Sequence, residues 1–156
     1  MAAKSLALFQ RLGASAPGRW LYSRLICLRA PYFATIAPSI LELAPGRCVV
    51  RLRDRRRVRN HIGTVHAIAL CNAAELAGGL ATDATIADTQ RWIPKSMSVR
   101  YLRKASGTLT AVATVNPPPA NAPAQEAHAL VEIRDGGDEI VFAADITMWI
   151  SPRSGK

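Results

Sequence analysis

Acidic and aromatic residues are both scarce in this chain. Twenty Lys and Arg stand against eleven Asp and Glu, a formal charge of +9, and aromatics make up 6% of the 156 residues. So basic a balance favours anionic partners: nucleic acid, a lipid surface or small phosphorylated ligands. The shortage of aromatic stacking platforms counts against single-stranded nucleic acid. Cysteine is sparse too. Cys27, Cys48 and Cys71 are odd in number, far apart and form no Cys-x-x-Cys pair, which argues against a disulfide framework or a structural zinc site and fits a reducing cytoplasm. No run approaches the roughly 18 uninterrupted apolar residues that a membrane span needs. Composition excludes collagen and coiled coil, and the length fits one domain.

No acid occurs before Glu42, while Lys4, Arg11, Arg19, Arg24 and Arg29 all precede it. An acid-poor, Arg-containing amphipathic start suits either a mitochondrial transit peptide or a pair of helices belonging to the domain. The helical reading rests on Trp20, Leu21, Leu25 and Leu28, which recur at helical spacing and would bury one face, with Pro31 ending the helix.

From residue 38 the pattern becomes strand-like. Residues 39–43 and 47–53 read as two strands around a Pro45-Gly46 turn, with Cys48, Val50 and Leu52 on one face. Arg55 to Gly63 is too polar for a strand and reads as a loop. A helix is expected over His66–Leu80, then strands over 91–104, 108–115, 127–134 and 139–150. Pro117-Pro118-Pro119 and Pro123 mark a surface connection. The last two strands form a hairpin closed by Asp135-Gly136-Gly137-Asp138, whose glycines are expected to supply positive φ. The order predicts an α+β domain, one central helix against an antiparallel sheet.

That helix is rich in small residues, Ala67, Ala69, Cys71, Ala73, Ala74, Ala77, Gly78 and Gly79, with Ile68, Leu70, Leu76 and Leu80 between them. A helix this lean can be wrapped closely by a sheet. It carries one charge in mid-course, Glu75. Either this carboxylate reaches water as an ordinary surface group, or it is held in a pocket with a raised pKa suited to general-base work. At the helix start, His66 either caps the helix or acts in a site, and the free N–H groups there form a ready oxyanion hole. Nine residues separate His66 from Glu75, about 900° of helix, so they stand half a turn out of phase. If both are catalytic, the expected geometry shares the site between two subunits of a symmetric dimer.

The run Asn60-x5-His66-Ala67-x7-Glu75, followed by Met97-Ser98-Val99-Arg100-Tyr101-Leu102-Arg103-Lys104-Ala105, resembles the hotdog-fold acyl-CoA thioesterases. The phenylacetate-pathway type is the nearest well-studied branch. Closer still is the DUF4442 branch, with its similar Arg59-Asn60-His61-x-Gly63-Thr64-x-His66-Ala67 signature. The resemblance covers about residues 35–151 and implies a hotdog fold, with a helical segment over 1–34 and a tail over 152–156. It also implies homodimers, often paired into tetramers, and an acyl-CoA-type substrate whose coenzyme A is the only cofactor-like group. By this resemblance Glu75 activates water against the thioester, Asn60 and His66 position the carbonyl or water, and the Ala67 N–H, joined by that of Ile68, holds the oxyanion. Gly63, Thr64, Ile68, Arg100 and Arg103 are the expected substrate contacts.

Two positions depart from the thioesterase pattern. His-Gly-Gly is here His66-Ala67-Ile68, which narrows the approach to the backbone amides. The polar helper of some relatives has no clear match, since Pro94 falls near its place and Ser96 is the nearest hydroxyl. A non-catalytic hotdog module binding acyl chains or partner proteins is the second functional class. Most of the arginines are expected to form a solvated face, with two or three receiving the phosphates of coenzyme A. No nucleic acid partner, metal or membrane span is expected, and a cytoplasmic location is preferred to a mitochondrial one.

Overall fold

The computed structural model describes residues 2–116, 119–120 and 122–153. Pro117 and Pro118 of the expected proline connection, and the end of the expected tail, lie outside the described residues. Two helices, α1 (Ala2–Leu12) and α2 (Ala16–Arg29), precede the strands β1 (Ser39–Ala44) and β2 (Arg47–Leu52). The long helix α3 (Ala67–Thr85) follows, then β3 (Gln90–Tyr101), β4 (Leu109–Val115), β5 (Gln125–Arg134) and β6 (Ile140–Pro152). The strands form one antiparallel sheet in the order β1-β2-β4-β5-β6-β3. Helix α3 lies against it, touching every strand. This is the hotdog arrangement, and the fold is α+β.

The leanness of α3 explains how the sheet closes around it. Ala73, Ala74, Ala77 and Ala81 are fully buried. A Cβ built on Gly78 would lie 3.1 Å from Ile146 Cδ1 and 3.2 Å from Ala129 Cβ, so the sheet already rests on backbone. The helix runs five residues past the expected Leu80. Residues 81–85 contain no breaker, and Thr82 Oγ1 donates to the Gly78 carbonyl at 2.8 Å inside the core. Such back-bonding lets a threonine stay helical where water is absent.

Strands β1 and β2 meet at Pro45-Gly46 as expected, with Gly46 at φ 77°. Cys48, Val50 and Leu52 share the buried face. The β5–β6 turn departs from expectation. Its positive φ, 64°, belongs to Asp138 and to neither glycine. Asp135 organises the turn instead, its Oδ1 accepting the N–H groups of Gly137 (2.9 Å) and Glu139 (3.1 Å). With that carboxylate fixing the bend, an aspartate tolerates the left-handed position at modest cost.

The N-terminal helices are folded, but α2 buries the face opposite to the expected one. Trp20 is 63% and Leu28 78% exposed, and Leu21 and Leu25 are also exposed, whereas Tyr22, Ser23 and Cys27 are buried. Hydrogen bonds decide the orientation. Ser23 Oγ donates to the Arg19 carbonyl at 2.7 Å and accepts the Ile40 N–H at 2.9 Å, tying α2 to β1. Tyr22 Oη lies 2.8 Å from Ser5 Oγ, and its ring stacks edge-on against Phe9. Burial pushes the Tyr22 phenol up to about 12. Both helices join the same hydrophobic core as α3 and the sheet. Helix α2 stops at Arg29, and Pro31 opens a 3-10 turn, Pro31–Ile36, that packs beside α3.

Candidate functional site

The loop leading into α3 is set by Asn60. Its Oδ1 accepts the N–H groups of Ile62 (3.1 Å) and Thr64 (3.0 Å), and its Nδ2 donates to Thr64 Oγ1 at 2.8 Å. Gly63 stands at φ 82°, a left-handed conformation that strains other residues, with open space around its Cα. The loop is pinned at both sides. Arg59 Nε donates to Asp54 Oδ1 at 2.7 Å, while Asp54 Oδ2 accepts the Gly107 N–H at 3.1 Å. The Arg59 guanidinium holds the Asp54 carboxyl below the usual range. On the far side, the Val65 N–H donates to the Ala105 carbonyl (2.8 Å) and the His66 N–H to that of Val58 (2.7 Å).

His66 is the N-cap of α3. It is extended at φ −64°, ψ 139°, and its Nδ1 accepts the Ile68 N–H at 3.1 Å. A neutral imidazole that accepts at Nδ1 carries its proton on Nε2, so the ring presents a donor outward. The Ile68 N–H, expected as part of an oxyanion hole, is therefore already engaged. The Ala67 N–H has no acceptor among the described residues.

A cleft of about 180 Å³ opens beside this helix start, its lining including Tyr32, Thr35, Arg57, His66, Ile68 and Asn72. The expected site residues divide around it. His66 and Ile68 line the cleft, Ala67 lies between them in sequence, and Asn60, Gly63 and Thr64 form the adjoining loop. Glu75 does not line it. At 1.5 Å per residue, His66 and Glu75 are separated by about 13 Å along the helix axis.

Glu75 is half-buried and makes no hydrogen bond or ion pair with the described residues. Helical spacing puts it on one stripe with Ile68, Cys71 and Gly79. This stripe meets β3 on either side of the carboxylate. Cys71 Sγ lies 3.3 Å from Tyr101 Oη, and a Cβ on Gly79 would come within 2.8 Å of the Trp92 ring. The contact with Cys71, followed by burial, pushes the Tyr101 phenol up to about 12. Glu75 thus sits between two contacts with the strand that ends the sheet. One side of β3 pairs with β6 and the other has no strand partner among the described residues, and Ile93, Met97 and Tyr101 of this strand are exposed. Pro94 and Ser96 fall at a register shift in this strand.

The remaining groups stand apart. Arg103 pairs with Glu139 at 3.2 Å, both exposed. Arg100 is exposed on β3, without an ion-pair partner among the described residues. His61 is exposed, and His128 Nδ1 lies 2.8 Å from Asp145 Oδ1 on the surface. Cys27 and Cys48 are buried, which pushes both thiols up, and Cys71 is half-buried. Among the described residues, no His/Cys/Asp/Glu group could hold a metal, and no helix is long and apolar enough to cross a membrane. Asn72 was not singled out by sequence reasoning, though a lone amide inside a run of small apolar residues is the same kind of signal that flagged Glu75.

Similar solved structures agree on the fold. A structural-genomics crystal structure is 42% identical, with a TM-score of 0.82 over 97% of this chain and 99% of that one. A probable thioesterase from Pseudomonas aeruginosa is 21% identical, with a TM-score of 0.74 over 84% of this chain and 93% of its own. A thioesterase from Haemophilus influenzae is 17% identical, with a TM-score of 0.71 over 82% and 87%. No curated protein matches the chain. Residues 18–150 match the family described as a domain of unknown function, DUF4442. The chain belongs to the DUF4442 family.

Proposed function

We propose that the protein is an acyl-CoA thioesterase acting as a homodimer, with Glu75 of one protomer meeting the α3 start of the other. The observation that carries this reading is the half-buried Glu75 carboxylate, without a partner among the described residues, at the open edge of the sheet about 13 Å along α3 from the His66 cap. A half-buried carboxylate that no described residue engages is available to a group brought by another chain. The edge beside it also has no strand partner among the described residues, along a 12-residue strand with exposed apolar side chains. Natural edges are either blunted by charge, proline or a bulge or covered by another element, and a second copy would cover this one while bringing two half-sites together.

In this arrangement Glu75 takes a proton from water, and the resulting hydroxide attacks the thioester carbonyl carbon. The carbonyl electrons move to oxygen, which the Ala67 N–H and the His66 Nε2–H stabilise. Collapse of the tetrahedral intermediate expels the thiolate of coenzyme A, and the proton held by Glu75 returns to it. Direct attack by the carboxylate is a variant with the same product. Asn60 acts as a positioning residue, because its amide holds the loop that sets His66. Arg57 and Arg100, both exposed and free of ion pairs with the described residues, are available to coenzyme A phosphates, whereas Arg59 and Arg103 are held by acids.

The test is free thiol release from a panel of acyl-CoA substrates, with the protein and its Glu75→Gln variant. The proposal expects turnover by the protein and a loss of about a hundredfold or more in the variant. Turnover in the protein that is unchanged by the substitution contradicts the role of Glu75. Saturable binding without turnover favours the non-catalytic module, the reading supported by the narrowed backbone approach at Ala67-Ile68.

A further inference from the structure

The hydrolytic scheme gives no role to Asn72, a buried polar group in the cleft. Asn72 is 5% exposed and lines the cleft together with His66 and Arg57. Its amide orientation is fixed by a relay. Nδ2 donates to Thr35 Oγ1 at 3.0 Å, and the Thr35 hydroxyl donates to the Tyr32 carbonyl at 2.7 Å. The single hydroxyl hydrogen is spent on Tyr32, so Thr35 Oγ1 can only accept from Asn72. Turning the amide over would set two acceptors against each other. Oδ1 is therefore the end left over, and it is buried without a hydrogen-bond partner among the described residues.

A buried carbonyl lacking a donor is uncommon and unfavourable, which calls for a reason. The reason here is directional. Asn72 lies five residues beyond Ala67, about 7 Å along the helix, and its side chain leans back toward the helix start. A ligand whose carbonyl oxygen rests on the Ala67 N–H reaches the depth of Asn72 several bonds further along. Oδ1 is closed to bulk water, so a small turn of the side chain toward an entering ligand is its route to a donor. Arg57 and Arg59 on the same wall disfavour a cationic donor and leave neutral donors, of which a hydroxyl is the simplest that an acyl group carries.

We propose, on the reading of this site as a thioesterase, that the cleft receives the acyl group and that Asn72 Oδ1 accepts a hydrogen bond from a hydroxyl carried several bonds from the thioester carbonyl. Asn72 is then the residue that selects hydroxylated over plain acyl groups. A hydroxylated acyl group gains a hydrogen bond to this carbonyl, whereas the plain analogue leaves Oδ1 as unpaired as it is in the free protein, so the hydroxylated compound is favoured.

The test uses the full chain with 4-, 5- and 6-hydroxyhexanoyl-CoA against hexanoyl-CoA, both as thioesters for turnover and as non-hydrolysable thioethers for calorimetry. At least one hydroxylated compound is expected to be preferred by roughly tenfold or more. The preference is expected to disappear in Asn72→Leu. Thr35→Ala, at an exposed position, releases the amide to turn over and serves as a second variant with the core intact. Its preference is expected to fall as well. Equal handling of hydroxylated and plain compounds, a preference that survives both variants, or no binding of any thioether overturns the proposal. A thioether preference without thioester turnover supports the hydroxyl site and removes the hydrolase reading. Turnover without preference does the reverse.

Discussion

His66 and Glu75 stand at either end of the first half of α3, one as the helix cap and the other as a carboxylate without a partner among the described residues. About 13 Å of helix axis separates them, so neither can reach the carbonyl held by the other within one chain. His66 is committed further, because its Nδ1 holds the Ile68 N–H at 3.1 Å. The ring is structural at one nitrogen and free at the other.

Separating those two roles is straightforward. His66→Ala removes the cap and is expected to cost about 1 kcal/mol of stability, as loss of a capping acceptor commonly does. His66→Asn supplies a capping oxygen and is expected to recover that stability but not turnover. Urea unfolding alongside thiol release reads both quantities.

The Asp54 carboxylate gives the structure a defined acid sensitivity. Its hydrogen bond from Arg59 lowers its pKa in the folded chain, so the carboxylate is favoured by folding. The stability it contributes is complete above the ordinary aspartate range near 3.8 and fades as the pH falls through that range and below it. Asp54→Asn is expected to lower stability by about 1–2 kcal/mol at neutral pH, a modest figure because Arg59 is exposed. The variant's stability is also expected to fall less between pH 6 and pH 3. Unfolding midpoints across that interval measure the difference.

Gly79 lets α3 lie close against Trp92 of β3. A Cβ there would lie 2.8 Å from Trp92 Cη2, too close without displacement of the ring. Gly79→Ala is expected to destabilise by about 1–3 kcal/mol, despite alanine's better helix propensity. Because Glu75 lies one turn away on the same stripe, turnover is expected to fall as well. A raised melting temperature would show that β3 yields easily.

The unpaired side of β3 predicts the assembly state. A charge at an exposed apolar position, Met97→Asp, is expected to convert a dimer to a monomer and abolish turnover together. Light scattering coupled to size exclusion reads the mass, and an active monomer would contradict the shared site.

Much of this fold is legible in the sequence, for physical reasons that differ by element. The alternation of Cys48, Val50 and Leu52 around Pro45-Gly46 marks β1 and β2 because one face is dry. The small residues of α3 announce a wrapped helix because only they allow such close approach. Helix α2 misleads because hydrophobicity did not orient it. Ser23 and Tyr22 turn inward to make hydrogen bonds, and Trp20 and Leu28 are left outside. The β5–β6 turn misleads because a side chain, Asp135, does what glycine flexibility was expected to do. Of the candidate site, the chain order of Asn60, His66 and Glu75 was readable, as was the phase that parts them. The cleft was not. It depends on Thr35 and Arg57 converging on Asn72 from distant segments, and on a hydroxyl whose proton is already given to Tyr32.

The shared site is tested most directly by mixing two defective chains. Glu75→Gln and His66→Ala each remove one half-site, and each alone is expected to be nearly inactive. After joint unfolding and refolding in equal amounts, half of the dimers pair unlike chains, and one of their two sites is intact. Thiol release from an acyl-CoA is then expected to recover to about a quarter of the unmodified protein's rate. A mixture no more active than either variant alone would contradict a site built from two chains.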